Sequence, residues 1–137
     1  MSRPKFESMS VGDTIPTLTT APISRTTLAL FAGASGDHNP IHIDIDFAKE
    51  AGMDDVFAHG MLVMAYVGRT LTNWIPQSSL KNFGVRFTSI TNLGDAITCT
   101  GMIVEKDDSA KRIRVELQAA SQDGDVKLAG DATFELR

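Results

Sequence analysis

The fold is decided by residues 59–74, the stretch HGMLVMAYVGRTLTNW. From Met61 to Val67 the residues are uncharged and largely apolar, and the first charge comes at Arg69. The stretch is too long for an ordinary strand, and a helix that is apolar on nearly all sides is buried. Pro76 ends it, because proline does not continue a helix. The sequence therefore predicts one central buried helix, with its methionines and tyrosine packed in the core.

After this helix the hydrophobic pattern changes to the two-residue period of strands. Apolar residues alternate in four segments, at 83–87, 97–103, 113–119 and 126–136. Short turn sequences rich in Asn, Asp and Gly separate the segments. Sequential strands with short connections predict an antiparallel meander, and the buried helix covers its apolar face. The predicted fold class is α+β, a curved antiparallel β-sheet wrapped around one long central helix.

Three shorter elements are predicted before the central helix. Residues 11–24 are rich in Thr, Ile and Pro, and this composition favours an extended segment, with a β-strand as the candidate element. Ser24 is a suitable N-cap for a helix over residues 25–34. Asp46 is predicted to cap a short helix over residues 47–51.

Length and composition limit the class of protein. The chain has 137 residues, 42% of them hydrophobic, and a formal net charge of −4. These values suit a single domain over residues 1–137 and give no general basic surface for nucleic acid. The N-terminus lacks the apolar region of a signal peptide, and no apolar run is long enough to span a bilayer. With Cys99 as the single cysteine, the sequence predicts a cytoplasmic protein without an internal disulfide or a thiolate metal cluster.

The segment GDHNPIH, residues 36–42, concentrates polar groups in a predicted turn. Pro40 fixes its own backbone and pushes Asn39 out of the helical region, which favours a rigid loop. If the loop holds Asp37 and His42 close together, the two side chains suit binding one water and general acid–base chemistry. An ordinary turn built from Asp, Asn and Pro is the alternative.

The stretch FAGASGDHNPIH, residues 31–42, closely resembles the signature of the MaoC-like dehydratases, also called (R)-specific enoyl-CoA hydratases. Residues 58–62, AHGML, and residues 85–87 with the Gly-Asp pair at 94–95 match other parts of that family's pattern. The resemblance covers nearly the whole chain, and it extends to the catalytic subunits of mycobacterial type II fatty-acid-synthase (3R)-hydroxyacyl dehydratases. It implies the hot-dog fold, in agreement with the predicted sheet and helix.

The resemblance also implies a reaction and residue roles. Asp37 and His42 are the implied catalytic pair of a hydro-lyase. They would hold the water that adds across a trans-2-enoyl thioester or leaves an (R)-3-hydroxyacyl thioester. Asn39 would orient the pair or its loop, and the N–H of Gly60 would point at the thioester carbonyl, as a helix start allows. Four residues are predicted at the substrate: Asn39, His59, Gly60 and Met61.

The implied substrate is an acyl-CoA or an acyl-carrier-protein thioester, and neither a cofactor nor a metal is expected. Acyl length, carrier and pathway stay open, as does which member of the Asp–His pair is the base. Gly68 stands where some short-chain hydratases of the family carry a serine in the acyl pocket. Because a small antiparallel sheet has exposed edges, a homodimer or higher homo-oligomer is expected, or a heterodimer with a related subunit.

Three alternatives stand beside this interpretation. A hot-dog acyl-CoA thioesterase would direct water at the carbonyl, but thioesterases of this fold lack the Gly-Asp-x-Asn-Pro-x-His motif. A non-catalytic acyl-binding subunit would be expected to lose Asp37 or His42, and both are present. A metal site could use His38, His42, Asp44 and His59, although ordinary zinc sites show tighter ligand spacing.

Overall fold

The computed structural model of the chain describes residues 3–136. The ends of the predicted domain, Met1, Ser2 and Arg137, lie outside the described residues, so the N-terminal prediction is covered only from Arg3 onward. The helices are α1 (Arg25–Ser35), α2 (Ile45–Glu50) and α3 (Gly60–Trp74), and the strands are β1 (Leu18–Thr19), β2 (Leu80–Phe87), β3 (Thr98–Asp107), β4 (Arg112–Ala120) and β5 (Val126–Glu135). None of the described helices combines the length and apolar character needed to cross a bilayer.

The strands form one antiparallel sheet in the order β1-β3-β4-β5-β2. The predicted meander is correct for β3, β4 and β5, which short turns connect. It is wrong for β2, which pairs with β5 at the far side of the sheet instead of with β3. Alternation fixes which face of a strand is buried, but it carries no information about the neighbouring strand.

Helix α3 lies against one face of this sheet, as predicted. Its core side buries Leu62, Val63, Val67, Thr70 and Leu71. The expectation of a buried helix is wrong for the opposite side of α3, which is open. The open side carries residues at the i, i+3, i+4 and i+7 spacing of one helix face: Met61, Met64, Ala65 and Gly68. The second apolar face lines a pocket.

The first helix begins and ends where the sequence predicts, to within one residue. The Ser24 hydroxyl accepts a hydrogen bond from the Thr27 N–H at 3.1 Å, and Gly36 ends α1 with a left-handed φ of +77°. The extended segment at 11–24 is strand only over β1, with one further bridge between Thr14 and Met102.

The predicted cap of the second helix is wrong by two residues. The carboxylate of Asp44, not Asp46, accepts hydrogen bonds from the N–H of Asp46 at 3.0 Å and of Phe47 at 3.3 Å. Two aspartates spaced by one residue are both plausible caps. The 3₁₀ turn at residues 40–42 decides between them, because the Asp44 N–H donates to the Pro40 oxygen at 2.8 Å and so places Asp44 at the helix start.

Candidate active site

The loop between α1 and α2 is rigid because its own polar side chains hold it. The carboxylate of Asp37 accepts a hydrogen bond from the Asn39 N–H at 3.3 Å, and the side-chain oxygen of Asn39 accepts one from the Ile41 N–H at 3.1 Å. Asp37 is exposed, whereas His42 is only 8% exposed. The loop thus presents a solvent-facing carboxylate beside a buried imidazole.

The imidazole of His42 has a fixed orientation and a fixed tautomer. Its Nδ1 lies 2.7 Å from the main-chain oxygen of Phe57. A carbonyl oxygen can only accept, so Nδ1 carries the hydrogen and Nε2 is the free acceptor of the neutral ring. The ring of Phe57 also packs edge-on against His42, with centroids 5.1 Å apart. The neutral ring therefore presents Nε2 as its hydrogen-bond acceptor.

A second imidazole, His59, is buried directly against His42. The two rings stack with centroids 4.0 Å apart and an interplanar angle of 27°. The Nε2 of His59 lies 3.1 Å from the main-chain oxygen of Asp37, and the residue is 1% exposed. Burial lowers the pKa of His59, and the neighbouring His42 acts in the same direction, while Asp37 opposes both. His59 therefore belongs to the same cluster as the predicted pair.

The fold brings the predicted pair together. A carboxylate oxygen of Asp37, a ring nitrogen of His42 and a ring nitrogen of His59 all lie within 4.8 Å of one another. The four-residue metal set considered from the sequence is not assembled: His38 is exposed and lies outside this group, and Asp44 caps α2. The group that does form suits a cation poorly, because stacked rings direct their in-plane lone pairs along nearly parallel planes.

The start of α3 offers unused donors next to this group. His59 is the N-cap of α3, but its side chain makes no capping bond. In the described part of the chain, the N–H groups of Gly60 and Met61 make no hydrogen bond. Gly60 also has a packing reason to be glycine, because a Cβ there would lie 3.1 Å from the ring of Phe87. Such a helix start suits an oxygen that gains negative charge.

An apolar pocket of about 460 Å³ adjoins the group, with Asp37 in its wall. The other lining residues come from α1, the open face of α3 and β2: Phe31, Ser35, Met61, Met64, Ala65, Gly68 and Phe83. Of the predicted site residues, Met61 is 54% exposed at the pocket. Sequence reasoning does not identify Phe31 and Phe83 as site residues. The period of the open α3 face is the available signal, but the same pattern also indicates core packing.

The buried Lys127 anchors the loop at residues 90–91, which pairs with the segment that fixes His42. The Nζ of Lys127 donates to the Ile90 oxygen at 2.8 Å and to the Asp125 carboxylate at 2.7 Å, and the Asp95 carboxylate lies 3.4 Å away. Burial lowers the pKa of Lys127, but the two carboxylates outweigh it and the net pKa is raised. The same loop accepts the Ala58 N–H at the Thr91 oxygen, next to the carbonyl that fixes His42.

Comparisons with known proteins agree with this architecture. Residues 7–124 match the family described as MaoC like domain. The (R)-specific enoyl-CoA hydratase of Rhodospirillum rubrum is 31% identical over 107 residues, which are 74% of this chain and 73% of that relative. The mitochondrial 3-hydroxyacyl-(acyl-carrier-protein) dehydratase of Arabidopsis thaliana is 30% identical over 89 residues, which are 65% of this chain and 52% of that relative.

Solved structures share the fold. The unliganded R-hydratase PhaJ1 from Pseudomonas aeruginosa superposes with a TM-score of 0.87 and 28% identity, and the match covers 96% of this chain and 84% of that chain. The hot-dog fold that the sequence resemblance implied is thereby confirmed.

Proposed function

Because the chain belongs to the MaoC-like dehydratase family, we propose that it is a hydro-lyase. It adds water to trans-2-enoyl thioesters and removes water from (R)-3-hydroxyacyl thioesters. The observation that carries the proposal is the grouping of Asp37 with His42 beside an apolar pocket. The proposed substrate is an acyl chain carried by CoA or by acyl carrier protein, and the proposed location is the cytoplasm.

Asp37 and His42 act on one water as a pair. An ionised carboxylate and the Nε2 of a neutral imidazole are both acceptors, so they bind the two hydrogens of one water. As the water oxygen bonds to Cβ of the enoyl group, the pair takes one proton, and it returns one proton to Cα. The sum is the addition of one water across the double bond. Dehydration uses the same groups with their roles exchanged.

The start of α3 stabilises the charge that this addition creates. Attack at Cβ moves electron density to the thioester oxygen. The N–H groups of Gly60 and Met61, which have no partner among residues 3–136, suit that oxygen together with the positive end of the helix dipole. His59, between these donors and His42, belongs to the proposed site.

The pocket suits an acyl chain. Its lining is predominantly apolar, and Asp37 is the charged residue among the described lining side chains. An acyl chain on the open face of α3 would place its thioester end toward the Asp37 side of the pocket. Asn39 supports this arrangement through the loop, because its side-chain oxygen is bonded to the Ile41 N–H.

The test is a hydration assay on the purified protein with a panel from crotonyl-CoA to dodecenoyl-CoA. Loss of enoyl absorbance with formation of the (R)-3-hydroxyacyl product is expected. Free thiol is measured in parallel, because a thioesterase would release it. Thiol release without hydration would overturn the proposal, and so would the absence of both reactions on this panel and on the same acyl chains carried by acyl carrier protein.

A further inference from the structure

His59 contacts both members of the proposed catalytic pair, Asp37 and His42. Its Nε2 reaches the main-chain oxygen of Asp37, and its ring covers the ring of His42. On its other side the ring of Phe31 packs edge-on, with centroids 4.9 Å apart. We propose that His59 is a positioning residue: a permanently neutral, buried imidazole that fixes both the main chain at Asp37 and the ring plane of His42. This inference rests on the proposed function.

The hydrogen bond to Asp37 determines the tautomer of His59. The Asp37 carbonyl can only accept, so the hydrogen of the neutral ring sits on Nε2. The other nitrogen, Nδ1, is then a bare acceptor, and it is buried with no partner among the described residues. A second proton would have to enter at Nδ1, where the described residues provide no acceptor. His59 can therefore hold its neighbours but not exchange protons with them.

Because the two rings are in contact, the neutral state of His59 affects the charge that His42 can carry. Two charged imidazoles with centroids 4.0 Å apart would repel each other. A His59 that stays neutral leaves His42 free to become an imidazolium during turnover. The groups that face His59 are His42 and Asp37, and burial lowers the pKa of His59. A neutral His59 thus allows His42, the ring proposed to transfer the proton, to take the positive charge.

The two contacts can be separated by substitution. His59→Phe keeps a flat ring over His42 and loses the donor to Asp37, whereas His59→Gln keeps an N–H donor and loses the ring. We expect kcat to fall by about 10²-fold in His59→Phe, the size of effect that small misplacements produce. KM should change little, because His59 is 1% exposed and does not line the pocket. In His59→Gln we expect a kcat between those of His59→Phe and the wild type, because the donor to Asp37 is kept. The acid limb of its pH–rate profile should shift, because the ring over His42 is gone.

The matched control is a buried substitution at the far end of the molecule. Ile113 pairs with Phe134, whose ring contacts Trp74, the last residue of α3. That end lies about 20 Å from Gly60 at 1.5 Å per helical residue. Ile113→Val should lower the melting temperature and leave kcat and the pH profile unchanged. If His59→Phe behaves like Ile113→Val, His59 is only a packing residue and the proposal is wrong.

A measurement without substrate separates this inference from the proposed function. The chain has three histidines, so ¹⁵N imidazole spectra of the wild type, His38→Gln and His42→Ala assign each ring, with His59 as the signal common to all three proteins. His59 should remain neutral with its hydrogen on Nε2 at every pH at which the protein is folded. A charged His59 at pH 6, or a hydrogen on Nδ1, would overturn the proposal even if both variants fail to fold. A neutral His59 in a protein without hydratase activity would refute the proposed function alone.

Discussion

Phe87 lies directly over Gly60, so that a Cβ at Gly60 would be 3.1 Å from the Phe87 ring. Phe87 belongs to the edge strand β2, and the residue is 48% exposed. A substitution at Gly60 therefore pushes against ring atoms of a side chain and not against backbone, and its cost in stability is limited. The same substitution covers the N–H proposed to bind the thioester oxygen.

We predict that Gly60→Val folds but loses at least about 10²-fold in kcat, the effect of losing an oxyanion donor. Turnover and the melting temperature are measured together. The control is Gly33→Ala in α1, where a Cβ has nothing within 4 Å. That variant should keep its activity and gain up to about 1 kcal/mol in stability. Restoration of turnover in Gly60→Val/Phe87→Leu would attribute the loss to Phe87 instead.

Asp37→Asn should keep the loop and lose most activity. The amide oxygen can still accept the Asn39 N–H, so the melting temperature should stay near that of the wild type. An amide cannot take a proton from water at neutral pH, and positioned acid–base groups contribute about 10²–10⁴-fold in rate. Turnover is measured on crotonyl-CoA and on a longer enoyl-CoA. A normally folded variant with more than about a tenth of the native rate, far above this range, would make Asp37 a turn residue.

His42→Ala should lose a comparable amount of activity. If Asp37 and His42 act as a unit, the double variant should lose less than the sum of the two single losses in activation free energy. Steady-state kinetics of all four proteins gives this coupling. Strictly additive losses would mean that the two side chains act on separate steps.

Gly68 should limit which acyl chains fit. A Cβ at Gly68 lies 3.5 Å from the Phe83 ring, an ordinary contact, so a larger side chain enters the pocket without disturbing the core. For Gly68→Leu we expect kcat/KM on a long enoyl-CoA to fall about tenfold or more, with crotonyl-CoA affected much less. Thr72→Leu, at an exposed position of the same helix, should change neither. Equal losses on both substrates would place the acyl chain elsewhere.

The pH dependence of stability should carry the signature of His59. Its pKa is lowered in the folded protein, so near pH 6 the unfolded chain binds more protons than the native one. The free energy of unfolding should therefore decrease as pH falls through about 6.5, with a slope of up to about 1.4 kcal/mol per pH unit from this group. Denaturant unfolding from pH 7.5 to 5.5 measures the slope. The slope should be shallower in His59→Gln than in the wild type.

We predict that the protein is at least a dimer. Strand β2 is an edge strand of eight residues, paired on one side with β5. Phe87 and, just beyond the strand, Ile90 are 48% and 47% exposed, and long apolar edges are normally covered. Light scattering at micromolar concentration should give at least twice the chain mass of 14.8 kDa. A monomeric mass would contradict a homo-oligomer and direct attention to a related second subunit.

Sequence periodicity is sufficient for the elements but not for their pairing across the chain. The apolar run at 59–74 and the four alternating segments correctly predict α3 and strands β2 to β5. The loop chemistry of residues 36–42 is sufficient to single out Asp37 and His42 as candidates. The contacts that give the pair its geometry are not predictable, because His42 reaches Phe57 and His59 reaches Asp37 across the α2 region. No repeating pattern encodes such contacts.

The error on α3 has a simple physical origin. Apolar residues that line a pocket have the same composition as apolar residues that fill a core, so the sequence cannot separate Met61 and Met64 from Leu62 and Val63. Only the packing of α1 and β2 around the helix shows which face is open.

The two faces of α3 also differ in what mutation can do to them. Substitutions on the sheet-facing side remove buried volume and threaten folding, whereas the exposed Met61 and Ala65 can change at little cost. New substrate preferences can therefore accumulate on one side of a helix while the other side preserves the scaffold. In this chain, one face of α3 can evolve freely and the other face cannot.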